Sequence, residues 1–179
     1  MTDGPRLPLV SDEDAPEEIR QILKDWPYAL HRSLANSPET MVRWMGFAEH
    51  ILLGNALPER DREIAIMRVA WNAQSPYEWG LHGGLCRSIG FTDEDFAAIV
   101  EGPATTKLPE NERALMQAVD EIQSDWRVSK ETWDRLAETY DPKQLIDFLL
   151  VTAQFMLVAI TLNSLALPVE DGVEPFPET

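Results

Sequence analysis

From Asp141 to Leu167 the chain is apolar almost without interruption, and Phe148–Leu162 reads FLLVTAQFMLVAITL. The stretch opens on Asp141-Pro-Lys-Gln144, a capping box with proline at the first helical position. It is short for a membrane span, carries Gln154, and has Asp147 and Asn163 at its edges, so it reads as a buried helix. A helix apolar on nearly every face needs cover on nearly every face, from a large core or from another subunit. In a chain of 179 residues part of that cover is expected from a second copy.

The remaining punctuation is also helical. Asp14-Ala-Pro-Glu opens a segment to about Asp25, Ser37-Pro38 one to Gly54, and Pro58 one to about Ala73. Ser75-Pro-Tyr-Glu78 reads as a second capping box, with its helix stopping at Gly90. Thr92 to Gly102, Pro109 to Ser124 and Ser129 to Tyr140 complete the set, and no segment alternates as a strand would. The expected fold class is all-α. Residues 1–14 are expected to form an extended N-terminal arm, 15–167 a single helical domain, and 168–179 an acidic, proline-rich tail. The two tails are expected to be loose or to lie on a neighbour.

The formal net charge is −16, but residues 1–18 and 168–179 alone hold ten acids and one base. No basic cluster exists, so neither nucleic acid nor an anionic membrane is an expected partner. The single cysteine, Cys86, excludes an intramolecular disulfide and a Cys-x-x-Cys pair. The start, MTDGPRLPLVSDEDAPEE, has neither the basic nor the apolar region of a signal peptide, and the expected compartment is the cytoplasm.

The informative region is Pro58–Gly90, where polar groups fall on apolar faces. With Glu78 at angle zero, Leu81, Leu85, Ile89, Cys86 and His82 lie within about −60° to +80° at 100° per residue. Gly80, Gly83, Gly84 and Arg87 lie opposite, and the glycines there would let another backbone approach. With Glu63 at zero, Ile64, Ile66, Met67, Ala70 and Trp71 lie within about −60° to +100°, and Ala65, Arg68 and Asn72 lie behind. A lone buried carboxylate is costly. Glu63, Glu78 and His82 on consecutive helices can satisfy one another as an acid/base set. Each also has a plain structural reading: a cap for Glu78, a core histidine for His82, an arginine partner for Glu63. Their coincidence on facing stripes makes them the candidate catalytic residues. Glu78 and His82 stand at i, i+4, a spacing two metal ligands can share, but no second histidine supports it, and no metal is expected. Cys86 reads as a small buried hydrophobe. Of six tryptophans, Trp71 and Trp79 are placed to wall a pocket, with Ser75 beside them as a third substrate-contacting candidate. His31 and His50 have no evident partner and read as ordinary.

The run Arg62-Glu-Ile-Ala-Ile-Met-Arg-Val-Ala-Trp71, then Ser75-Pro-Tyr-Glu-Trp-Gly-Leu-His82 and Gly90-Phe-Thr, resembles the core motif of the carboxymuconolactone decarboxylase/alkylhydroperoxidase D superfamily. The superfamily pattern has a glutamate in one helix, then Cys-x-x-Cys-x-x-x-His in its hydroperoxidase branch. On this chain the glutamate falls at Glu63, the histidine at His82, and the two cysteine positions at Ser75 and Glu78. The decarboxylase branch lacks the cysteines and has Glu-x-x-x-His, as here. The resemblance implies a helical homo-oligomer (trimer, hexamer or related ring) with a site between the Glu63 and His82 helices near a subunit boundary. It implies a cofactor-independent lyase or isomerase acting on a small carboxylate or lactone. The alternatives are an alkylhydroperoxidase-like peroxidase, which the missing thiols disfavour, and a non-catalytic oligomeric binding protein. The small decarboxylases carry a Tyr-Ala-Gly segment in the final helix, where this chain reads Gln154-Phe-Met-Leu-Val-Ala.

Overall fold

The helix from Glu59 to Asn72 is buried on every side: each residue from Asp61 to Ala70 is shielded from solvent, including Asp61, Arg62, Glu63 and Arg68. The computed structural model describes residues 4–178, and the first three residues of the arm and Thr179 lie outside it. Among the described residues the chain forms only helices: α1 Glu17–Asp25, α2 Ala29–Leu34, α3 Pro38–Leu53, α4 Glu59–Asn72, α5 Pro76–Ser88, α6 Asp93–Glu101, α7 Glu110–Asp125, α8 Lys130–Ala137 and α9 Pro142–Leu165. α4 is the axis of the molecule, packed against α9, α7, α5 and α6. Arg68, read from the sequence as lying behind the apolar stripe, is instead buried. It grips Asp120 of α7 through two 2.7 Å hydrogen bonds and donates to the Ile99 carbonyl at the end of α6.

The local signals place most helix ends. Thr92 and Asp95 form a capping box on α6, Ser129 caps α8, and Asp141 and Gln144 form the box on α9. Two signals differ. α1 begins at Glu17, after a Ser11–Asp14 turn closed by the serine hydroxyl. α5 starts at Pro76 as expected, yet Ser75 makes no capping bond and Glu78 does not reach back. The box is broken because the Glu78 carboxyl turns into the protein.

α2 has no local start signal because its cap is tertiary. Its first N–H groups donate to the Glu170 carboxylate at 2.7 Å and to the Tyr77 hydroxyl at 3.2 Å. Glu170 belongs to the C-terminal segment, which runs back over α5 of its own chain. The Glu174 N–H donates to the Gly80 carbonyl, Glu174 pairs with Arg87, and Phe176 stacks on Trp71 at 5.4 Å. A Cβ at Gly80 would stand 2.5 Å from Val173, so the close backbone approach expected at this glycine face is made by the chain's own tail.

α9 is covered on one face only. Phe148, Val151, Phe155, Val158 and Leu162 enter the main core, while Ile146, Leu150, Leu157 and Ile160 remain exposed. By length and composition α9 could cross a membrane, but its inner face packs on α4 and α3.

Candidate active site

α4 and α5 bring Glu63 and His82 together, and their facing geometry follows from the i, i+4 periodicity of the two apolar stripes. Glu63 has no solvent exposure. One carboxylate oxygen accepts from Arg62 Nε at 3.0 Å, and the other lies 2.8 Å from His82 Nδ1. Burial alone would raise the Glu63 carboxyl, but His82 and then Arg62 outweigh it and hold the group below its ordinary value. Glu63 is therefore an ionised acceptor, and a 2.8 Å contact to it from His82 places a proton on Nδ1. The imidazole ring meets Phe155 edge-on at 4.7 Å between centroids. Its Nε2 makes no hydrogen bond to the protein among the described residues.

His82 lines a cavity of about 330 Å³ between α2, α3, α5 and α9. Tyr77, Glu78, Leu81 and Leu85 supply the α5 wall with His82; of the stripe deduced from the sequence, Cys86 and Ile89 instead face the second core cluster. Gln154, Phe155, Val158 and Leu162 come from α9; Leu30 and His31 from α2; Trp44, Met45, Ala48 and Glu49 from α3. Trp26 and Tyr28 close the end before α2. Among the described residues no lysine or arginine lines the cavity, and Arg62 is paired with Glu63. The volume is in the range of a small-molecule site.

Glu78 lines this cavity with both oxygens buried and without a hydrogen-bond partner. Burial pushes its carboxyl well above the ordinary value, which favours the protonated form, able to donate one hydrogen bond and accept another. It does not pair with His82 as the sequence reading expected. A consequence is measurable. The unfolded chain ionises Glu78 near its ordinary value while the folded chain keeps the proton, so between those two pKa values the unfolded state binds fewer protons and stability declines as pH rises. Glu78→Gln removes this term. The variant is expected to gain stability relative to the parent as the buffer goes from about pH 5 to pH 8. Urea midpoints across that range would show the gap widening, and a constant gap would contradict a buried neutral acid.

The three other candidate residues lie elsewhere. Trp79 and Trp71 pack behind α5, with Phe176 of the tail and the second core cluster around Cys86, Phe91 and Phe96. Ser75 is fully buried and absent from the cavity wall. Trp71 on α4, Trp79 on α5 and Ser75 just before α5 thus do not line this cavity. Cys86 is in the same cluster, and burial followed by the Glu63 charge pushes its thiol up, away from the reactive thiolate.

Sequence reasoning missed the opposite wall. His31, read as ordinary, is on the cavity with its Nδ1 buried and unpartnered, and burial pushes it down to about 4. The Trp44 indole N–H is buried and unpartnered on the same wall. Each such orphan polar group costs about 1–3 kcal/mol unless something satisfies it. Both arise from tertiary contact between α2 and α3, which leaves no periodic signal.

Residues 38–121 match the model of the carboxymuconolactone decarboxylase family. Among solved structures the chain is similar to an alkylhydroperoxidase AhpD core, a peroxidase-related protein from Ralstonia eutropha JMP134, with 18% identity, TM-score 0.80 and 93% of each chain covered. It is similar to a peroxidase-related protein from Silicibacter sp. TM1040, with 14% identity, TM-score 0.79, and 94% of this chain and 93% of that one covered. A cysteine-to-alanine variant of the debrominase Bmp8, solved with 2,3,4-tribromopyrrole, gives 15% identity, TM-score 0.79, and coverage of 96% and 95%. At these identities the likeness is one of fold. No curated protein matches the sequence. The family match over residues 38–121 and the all-helical fold shared with alkylhydroperoxidase D-like structures support a likeness of this chain to the carboxymuconolactone decarboxylase/alkylhydroperoxidase D-like superfamily.

Proposed function

We propose that this protein is a cofactor-independent lyase or isomerase that moves a proton on a small carbonyl compound such as a lactone. The observation that supports it is the 2.8 Å Glu63–His82 pair at the wall of the cavity, with Nε2 free of protein partners. In this reading His82 Nε2 takes the proton from the carbon next to the carbonyl, and the C–H electron pair moves into the carbonyl to give an enolate. Glu63 stabilises the imidazolium formed in transit and holds its orientation. Glu78, as a neutral acid, donates to the enolate oxygen. His82 then returns the proton to carbon, so no oxidant or reductant is consumed. The carboxylate half of the expected substrate class finds no lysine or arginine in the cavity, which favours the lactone half. A panel of small lactones and cyclic ketones incubated with the protein in deuterium oxide should gain deuterium beside the carbonyl, read by proton magnetic resonance. No enzyme-dependent exchange across the panel would contradict the reading.

Thiol-dependent peroxide reduction is the competing enzyme class, and it is not expected. Ser75 and Glu78 stand at the two thiol positions, and Cys86 is buried with its thiolate disfavoured. Robust peroxide turnover with a dithiol, abolished by Cys86→Ser, would reverse this.

The exposed stripe of Ile146, Leu150, Leu157 and Ile160 on α9 supports a homo-oligomer, with the cytoplasm as its proposed compartment. Light scattering at micromolar concentration is expected to give a multiple of 20.3 kDa. A monomeric mass would remove the assembly.

A further inference from the structure

We propose that His31 and Trp44 form a second recognition pole in the cavity, which binds an uncharged planar ring through a hydrogen-bond acceptor on it and turns the other end of that ring toward His82. The inference rests on the cavity being the substrate site of the reading above, and it names what that site selects.

Three observations support it. The first is the clustering of unsatisfied polar atoms. Of ten buried side-chain atoms without partners among the described residues, four, Glu78 Oε1 and Oε2, Trp44 Nε1 and His31 Nδ1, belong to residues of this one cavity wall, and the other six are scattered over Ser33, Asn55, Ser75, Trp79, Arg113 and Arg135. His31 is 93% buried by exposure of 7%, so solvent does not satisfy it. Glu78 and His82 lie on α5, whereas His31 and Trp44 lie on α2 and α3, so the polar groups reach the cavity from different elements. The rest of the wall is mainly apolar, with Gln154 of α9 and Tyr77 of α5 among its other polar side chains.

The second is the shape of the distal pole. Trp26, Tyr28 and Trp44 surround His31 at ring-centroid distances of 5.6, 6.0 and 6.1 Å. Aromatic walls of this kind favour a flat ring, which gains contact area and stacking at small entropic cost. An indole N–H is a donor only, so the complementary ligand group at Trp44 is an acceptor such as a carbonyl oxygen.

The third is charge. Among the described residues no lysine or arginine lines the cavity, and its carboxyl groups are the exposed Glu49 and the buried Glu78. The imidazole of His31 is held neutral by burial. An anionic ring would enter an apolar space with no cation at the distal end, which disfavours it by desolvation. A neutral ring carries no such cost.

The test uses the full chain and three probes of one ring size: acetophenone, which is neutral with an acceptor; ethylbenzene, which is neutral without one; and benzoate, which is anionic. Binding is read by calorimetry and by the tryptophan fluorescence of the cavity. Acetophenone is expected to bind about tenfold more tightly than ethylbenzene or benzoate. Trp44→Phe keeps an aromatic wall and removes the N–H; it is expected to weaken acetophenone by about three- to tenfold and to leave ethylbenzene unchanged. His31→Phe is the second variant, expected to act in the same direction. The inference is overturned if ethylbenzene or benzoate binds as tightly as acetophenone, if neither distal variant weakens acetophenone selectively, or if no probe binds saturably. Deuterium exchange on the lactone and ketone panel judges His82 separately, so a failed distal pole and a failed catalytic pair give different results.

Discussion

His82→Asn is expected to lose about 10²–10⁴ in turnover on any substrate the parent converts, while remaining folded. His82 is only partly buried, and asparagine can still offer a hydrogen bond toward Glu63, so the loss falls on chemistry rather than on the core. Glu63→Gln should fall in the same range, because an amide at this position keeps its shape but cannot stabilise an imidazolium by charge. The two effects should not add, since both remove one unit: the double variant is expected to be about as slow as either single one. Far-ultraviolet dichroism of each variant would establish that the helices persist, and steady-state rates would give the losses. Near-parental turnover in His82→Asn would remove the assignment.

The largest stability effect is expected at a residue with no place in the chemistry. Arg68 ties α4 to α7 through paired bonds to Asp120 and ties both to the end of α6 through the Ile99 carbonyl. Asn72 adds a further bond to Asp120. Arg68→Met replaces the side chain with one of similar length that cannot pair, which leaves Asp120 and the α6 carbonyl without their donor. Breaking a buried pair by removing one partner typically costs 3–5 kcal/mol. The Asp120 side chain retains 27% exposure, so the lower end, about 3 kcal/mol, is expected here. For a domain of this size that lowers the thermal midpoint by roughly 6–12 °C. Gly102 bears on the same network: at φ +90° its absent Cβ would stand 2.7 Å from Arg68 Nη2, so the loop and the guanidinium are built around each other. A thermal midpoint within about 2 °C of the parent would show that the network contributes little.

What was legible in the sequence follows from how local each cause is. Helix ends fixed by a residue's own neighbours, as at Thr92, Ser129 and Asp141, lie where their signals stand. α2 was invisible because its cap comes from Glu170 and Tyr77, far along the chain. Glu63, Glu78 and His82 could be read because helical periodicity alone places them on apolar faces. Their pairing could not be, because it depends on where α4 meets α5: Glu63 takes Arg62 and His82, and Glu78 is left on the cavity wall without a partner. Periodicity also gave Trp71 and Trp79 a face without saying what covers it, and the covering group proved to be Phe176 of the tail. The buried Arg68 defeats a two-faced helix reading altogether, since α4 has neighbours all round.

The account turns on one geometric relation, His82 Nδ1 held by Glu63 with Nε2 left for the substrate, and nitrogen magnetic resonance of ¹⁵N-histidine-labelled protein tests it most directly. The chain has three histidines, His31, His50 and His82, so single substitutions assign every signal. The account predicts a His82 Nδ1–H proton shifted far downfield by a carboxylate acceptor and slow to exchange with water, lost or moved strongly upfield in Glu63→Gln. It also predicts an Nε2 resonance that responds when a cavity ligand is added. A His82 Nδ1 signal indifferent to Glu63→Gln, in a variant that is still folded, would contradict it.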